Sequence, residues 1–235
     1  MNVIAYRDYI HTPWGRLFYR LVWHRLAFRG KKVLDFGSGF GATASHLAAC
    51  NDVTAVEPSP ELLEHRICDH PYRQITGSIE ALREMKAGCF DVILCHNVLE
   101  YIEDRAALLA EFHRLLKDEG ILSIVKHNRK GKIMHKAVFE NNTDEALALL
   151  SGGQSVSQSF GTINEYELED LQACMEGRFA LEQMYGIRTF YGIQSNVFKT
   201  DPDWEDKMFT LECAVEDDPA FRSVAFFQHL FFIKK

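Results

Sequence analysis

The stretch VLDFGSGFGATASHLA, residues 33–48, constrains the fold more than any other part of the chain. An apolar run leads into Gly37 and Gly39, and a helix-period segment opens at Ala42, matching G-x-G-x-x-[GA] between a strand and a helix. Glycine there permits a tight turn and a close approach of the backbone to a ligand. Residues 33–128 continue the alternation of short apolar runs with helix-period stretches, the pattern of parallel βα units. Strands are expected at 33–36, 53–57, 73–76, 90–95 and 121–126. Between the last two, DRAALLAEFHRLLKDEG sets Leu108, Leu109, Phe112, Leu115 and Leu116 on one face and predicts a helix ending at Gly120.

The flanks are less regular. WGRLFYRLVWHRLAFRG has amphipathic spacing, with Leu17, Leu21 and Leu26 available for burial. KIMHKAVFENNTDEALALL reads as a helix interrupted at Asn141 and Asn142, and GGQSVSQSFG (152–161) as a flexible polar loop. A helix over EYELEDLQACME, a strand over FALEQMYGIRTF, a helical piece near 203–216 and a terminal strand over VAFFQHLFFI follow. Phe226, Phe227, Phe231 and Phe232 are expected to pack within that last strand.

The formal charge of −7 argues against a surface that binds polyanions broadly. One segment runs the other way. Residues 126–136 hold Lys126, Arg129, Lys130, Lys132 and Lys136 and no acid, so they carry +5 while the rest of the chain sums to −12. The six cysteines form no C-x-x-C pair, which speaks against a disulfide framework or a structural zinc, and no metal is expected. The N-terminus lacks the apolar core of a signal peptide and no window approaches a membrane span, so the chain reads as soluble and cytoplasmic, without a membrane partner.

Glu57 ends the second strand, 20 residues past Gly37, where a carboxylate accepts two ribose hydroxyls. A ligand containing a nucleoside follows. Asp35, two residues before the first glycine, speaks against a pyrophosphate, and D-x-G-x-G with a distant acid resembles motif I of the class I S-adenosylmethionine-dependent methyltransferases. TGSIEAL (76–82) resembles the segment that reads the adenine edge, with Ser78 where an Asp is common, and residues 90–122 resemble motifs II and III. The resemblance implies an α/β, Rossmann-like fold with a central, mostly parallel seven-stranded sheet flanked by helices and a helical cap inserted after strand five. It is expected as one domain: an N-terminal helical lid (1–30), a cofactor-binding core (31–128), the cap with its following helix (129–178) and C-terminal strands carrying a helical insertion (179–235). S-adenosylmethionine is the implied cofactor, bound by Arg16, Asp35, Gly37, Ser38, Gly39, Glu57, Pro58, Ser78, Ile79 and His96.

HNVLEYIED, the N-x-x-G-x-x-M-H pattern at Asn128, Gly131, Met134 and His135, and Gly15 with Leu17 resemble the bacterial tRNA 5-carboxymethoxyuridine methyltransferases, which esterify a carboxylate on a wobble uridine. Two departures stand out. The chain lacks that group's lysine-rich cap stretch, and Phe18 stands where the group has an Arg, leaving Arg16 or Arg20 for the cofactor carboxylate. The acceptor read from this resemblance is a tRNA carboxylate held by a local basic patch. A small acidic molecule serving a small-molecule O- or N-methyltransferase is the alternative, and a cofactor-binding module without catalysis a further one. A carboxylate acceptor needs no general base, whereas an amine or hydroxyl would call on His96 or His135. Asn128, Arg129 and Lys130, with Arg188 and Tyr191 of MYGIRTFYG, are the candidate acceptor-binding residues.

Overall fold

The computed structural model describes residues 3–153, 155–157 and 161–235. The helices are α1 (Val3–Ile10), α2 (Pro13–His24), α3 (Ala42–Ala48), α4 (Pro60–Glu64), α5 (Ile79–Arg83), α6 (Arg105–Leu115), α7 (Arg129–Met134), α8 (Thr143–Leu150), α9 (Leu168–Met175), α10 (Trp204–Cys213) and α11 (Pro219–Val224). The strands are β1 (Lys32–Phe36), β2 (Asp52–Glu57), β3 (Arg73–Thr76), β4 (Phe90–His96), β5 (Leu116–His127), β6 (Ser155–Ser157), β7 (Gly161–Ile163), β8 (Phe179–Ile187) and β9 (Phe227–Lys234).

Seven strands form one sheet in the order β3-β2-β1-β4-β5-β9-β8. The pairs β3–β2, β2–β1, β1–β4 and β4–β5 are parallel, with Asp35 opposite Ala55 and Leu94, and His96 opposite Val125. Val33, Leu34, Val56, Ile93, Leu94 and Ile124 are almost fully buried, as expected of strands covered on both faces. The expected fold class is the one observed.

The chain divides into two compact units. Residues 26–125, 166–183 and 230–235 form the core unit; residues up to 25, 126–165 and 184–229 form the second. Within the core unit, Asp104 caps α6 by accepting from Ala107 N at 2.9 Å, and Leu108, Leu109, Phe112 and Leu115 are buried. The expectation that this helix runs to Gly120 is corrected. It stops at Leu115, and Leu116 already pairs with Phe90 as the first residue of β5, because the apolar run that ends the helix also begins the strand.

Within the second unit, Thr12 caps α2 by accepting from Gly15 N, with Pro13 at the first helical position. α2 ends at His24, short of the expected 30, and α1 precedes it. After α7 the chain passes through a π-helix at 135–139, and Asn141, at φ 51°, breaks the path before Asn142 caps α8. The expected loop at 152–161 is corrected in part: β6 and β7 pair antiparallel, Ser155 opposite Ile163, while 154 and 158–160 lie outside the described residues. Phe226 precedes β9 instead of lying within it; its ring meets His135 at 5.1 Å and Phe227 at 4.8 Å.

Gly131 explains part of the N-x-x-G pattern. A Cβ there would sit 2.1 Å from the Ala225 carbonyl oxygen and 2.5 Å from the Phe226 Cα, so α7 approaches the chain at 225–226 as only glycine permits. Gly131→Ala is expected to cost about 2 kcal/mol of stability, read as a lowered denaturation midpoint. An unchanged midpoint would contradict this packing.

Candidate functional site

In the core unit, the glycine loop is built by backbone bonds. Gly37 N and Ser38 N both donate to the Val56 carbonyl, at 2.8 and 3.1 Å, tying the loop after β1 to β2. Gly37, Gly39 and Gly41 all have positive φ, at 75°, 56° and 78°. Their surroundings differ. A Cβ on Gly37 would strike Val98 and one on Gly41 would strike the Tyr72 hydroxyl, whereas one on Gly39 would meet nothing within 4 Å. Gly39 is therefore the point of open backbone approach. Gly41 was not among the residues expected from the sequence; the third glycine in alternation was its signal.

Glu57, at the carboxyl end of β2, is 6% exposed. Its Oε2 accepts from Gly39 N at 2.9 Å and its Oε1 from Ser59 N at 2.9 Å. Each oxygen retains a lone pair after these bonds. Pro58 lies exposed beside it. Ser78 precedes α5 without a side-chain capping bond, so its hydroxyl is not used in holding the helix, and Ile79 beside it is half-buried.

Asp35 is buried in β1, and its carboxyl accepts from Ala44 N in the first turn of α3. It thereby replaces the side-chain cap that Gly41 cannot supply. Burial first, and then the negative charge of Glu57, push this carboxyl up from 3.8 to about 7. Its Oδ2, the Ser38 Oγ and the Asn97 Oδ1 are buried without hydrogen-bond partners. Unsatisfied polar atoms beside an open glycine, on the strand ends where α/β sheets take ligands, fit a polar ligand carrying donors.

His96 ends β4, and its Nε2 meets the Ser123 Oγ at 2.9 Å. Burial lowers its pKa to about 3. The ring is neutral through physiological pH and too weak a base to remove a proton from an ordinary hydroxyl or amine. Ser123, one strand over in β5, carries no signal in the sequence beyond its place in an apolar run.

The second unit holds the remaining expected residues. Arg16 is engaged: its Nε and Nη2 lie 3.2 and 2.9 Å from the Glu205 Oε2, and its Nη1 donates to the His11 carbonyl. Asn128 is buried, donates to the carbonyls of Ser223 and Ala225 at 2.9 and 2.7 Å, and caps α7 by accepting from Lys130 N. Its amide hydrogens are thus committed within the unit. His135 stacks on Phe139 at 4.6 Å; its Nδ1 bonds the Gly192 carbonyl and its Nε2 faces Glu140 at 3.4 Å. Burial, followed by the charge of Arg188, lowers its pKa.

The basic run is largely neutralised. Arg129 and Lys132 share Glu165 at 2.7 and 3.0 Å, and Arg129 also donates to the carbonyls of Leu149 and Gly153. Lys136 pairs with Glu140 and Glu145 at 2.9 and 3.1 Å, and the buried Lys126 donates to the His127 carbonyl. Lys130 is exposed. The expected basic patch is corrected: three of its five cations are matched by acids at 140, 145 and 165, outside the run and invisible in its local count.

Arg188 has a positive φ of 65°, and its guanidinium lies 4.4 Å from the Phe226 ring and 5.8 Å from the Tyr191 ring. Tyr191 is fully buried. Elsewhere in the unit, ligand atoms of His24, Cys213 and Glu216 lie within 4.8 Å of one another. Glu216 is ion-paired with Arg25, and burial pushes the Cys213 thiol up to about 11. A protonated thiol and a paired carboxylate make poor metal ligands. Among the described residues no helix is long and apolar enough to cross a membrane.

Residues 34–124 match the family model described as a methyltransferase domain. A ubiquinone biosynthesis O-methyltransferase of Psychrobacter arcticus is 32% identical over 170 residues, covering 69% of this chain and 64% of the relative. One of Pseudomonas aeruginosa is 33% identical over 137 residues, covering 55% and 57%. The chain spans less than two thirds of the length of these curated relatives. A Thermotoga maritima structure, described as a SAM-dependent methyltransferase and possible histamine N-methyltransferase, superposes with a TM-score of 0.66 at 17% identity, over 100% of this chain and 96% of that one. At that identity the likeness carries the fold.

Proposed function

With a methyltransferase domain at residues 34–124 as premise, we propose that the chain is an S-adenosylmethionine-dependent methyltransferase acting on an oxygen of a small molecule. The observation that carries the cofactor assignment is the pairing of Glu57 with an open Gly39 beside the unsatisfied Asp35 and Ser38. Glu57 holds the ribose hydroxyls, Gly37, Ser38 and Gly39 admit the ligand against bare backbone, Ser78 and Ile79 flank the adenine, and Asp35 faces the cationic end. The chemistry supplied by the bound cofactor is an electrophilic methyl on a sulfonium. The protein's part is to hold the acceptor in line and exclude water.

The acceptor reading leans on two observations. The pairing of Arg129, Lys132 and Lys136 leaves too little free positive charge in the run for the multiple phosphate contacts that give affinity for tRNA. His96, held near a pKa of 3, favours an acceptor that ionises by itself, a carboxylate or an acidic phenol, over an amine. The activity named for the relatives, O-methylation in ubiquinone biosynthesis, points the same way. Incubation of the protein with methyl-labelled cofactor, a small-molecule extract and, separately, bulk tRNA tests this. Label is expected in the small-molecule fraction; label in tRNA alone would restore the wobble-uridine carboxylate as acceptor.

Asp35 gives a pH prediction with a definite sign. An acid raised to about 7 in the folded state binds a proton there that the unfolded chain, at 3.8, has released. The ligand-free fold therefore loses stability as pH rises from about 4 to about 7. A cationic ligand selects the ionised carboxylate, so cofactor affinity should rise roughly tenfold per pH unit below 7 and level off above it. Calorimetric titration between pH 5 and 8 reads this directly; a flat profile, or one unchanged in Asp35→Asn, would refute the role of Asp35.

A further inference from the structure

The second unit contains two cations, Arg188 and Lys199, that share an aromatic cluster and make no ion pair among the described residues. Lys199 is 1% exposed, and its ammonium lies 5.1 Å from the Phe139 ring, 5.6 Å from Trp14 and 5.9 Å from Tyr191. Arg188 approaches the same Tyr191 ring and that of Phe226. Among the described residues neither side chain makes an ion pair or a side-chain hydrogen bond, and the Arg188 Nε and the Tyr191 hydroxyl are buried without partners. The acid on the neighbouring helix is already committed: Glu212, in α10, accepts from the backbone N–H groups of Thr189, Phe190 and Tyr191.

A buried ammonium and a half-buried guanidinium beside one ring are costly, and contacts with aromatic faces return only about 2 kcal/mol each. Burial, and then the charge of Arg188, lower the Lys199 pKa to about 8, with no acid acting in the opposite direction. An anion between the two would relieve both and give the Tyr191 hydroxyl an acceptor. The guanidinium fork suits a planar carboxylate, and the rings leave apolar walls for whatever carries it.

We propose that Arg188, Lys199 and Tyr191 bind the carboxylate of a small molecule with an apolar body, seated against Trp14, Phe139 and Phe226. Identifying this molecule with the methyl acceptor rests on the methyltransferase reading above; the binding site does not. Arg188 and Tyr191 are candidate acceptor-binding residues from the sequence alone, whereas Lys199, in NVFKTDPD, has no pattern to mark it.

The test is calorimetric titration of the full chain, without cofactor, using benzoate, the neutral isostere benzamide and inorganic phosphate as probes. Benzoate is expected to bind about tenfold more tightly than benzamide or better. Lys199→Met should abolish that preference. Tyr191→Phe, which removes one hydroxyl and preserves the ring, should weaken benzoate about fivefold without shifting the melting temperature. Benzoate binding no better than benzamide, or binding unchanged in Tyr191→Phe, overturns the site. Phosphate binding more tightly than benzoate overturns the carboxylate assignment. Because no cofactor is present, loss of this site leaves the Glu57 reading untouched, and the converse holds.

Discussion

Glu57→Ala is expected to weaken S-adenosylmethionine binding by about 3 kcal/mol, roughly 100-fold in dissociation constant. Two effects add. The variant loses the carboxylate lone pairs that would take the ribose hydroxyls, and it releases Gly39 N and Ser59 N, which Glu57 now holds at 2.9 Å each. Glu57→Gln separates them. An amide has one oxygen, so its NH2 must face either the Gly39 or the Ser59 N–H, and the loop is strained even though a polar group remains. The glutamine variant should therefore also bind poorly, at least tenfold below the wild type. Calorimetry on the purified chain checks both, and wild-type affinity in Glu57→Ala would remove the cofactor assignment.

Glu165→Ala is expected to cost about 3 kcal/mol of stability, a shift of roughly 10 °C in melting temperature. Glu165 is 13% exposed and is the shared partner of Arg129 and Lys132, whose side chains are 25% and 7% exposed. Its removal leaves two poorly hydrated cations near one another. Lys132 is the more deeply buried of the two cations, so its ammonium should bear most of the loss. Adding Lys132→Met should then recover about 1 kcal/mol or more, measured as a coupling in a double-mutant cycle. A melting temperature within the error of the wild type would mean the pairing carries no stability, and the basic run would again be a candidate polyanion surface.

What the sequence made legible depended on how local the physics was. Gly37 and Glu57 could be read because a turn at positive φ and a strand-end carboxylate each demand one residue type at a fixed spacing. The parallel strands declared themselves through runs buried on both faces. The start of β5 did not, since Leu115 and Leu116 serve helix and strand equally well and Gly120 imitates a cap. The charge run misled for a different reason. Its cations are matched by Glu140, Glu145 and Glu165, and the last of these lies 33 residues beyond Lys132. Lys199 was silent altogether, because a buried lysine in a polar segment looks like any exposed one until the rings around it are in place.

The strand order has a kinetic corollary. β9 sits between β5 and β8, yet it begins about 100 residues after β5 ends. At about 5–20 residues per second, a nascent chain holds the outer edge of β5 unpaired for roughly 5–20 s. That edge, with Leu122, Ile124 and Val125 along it, is the template on which a neighbouring nascent chain would pair wrongly. Yield of folded protein should therefore respond more to holdase chaperones and to translation speed across residues 128–226 than the stability of the finished sheet would suggest.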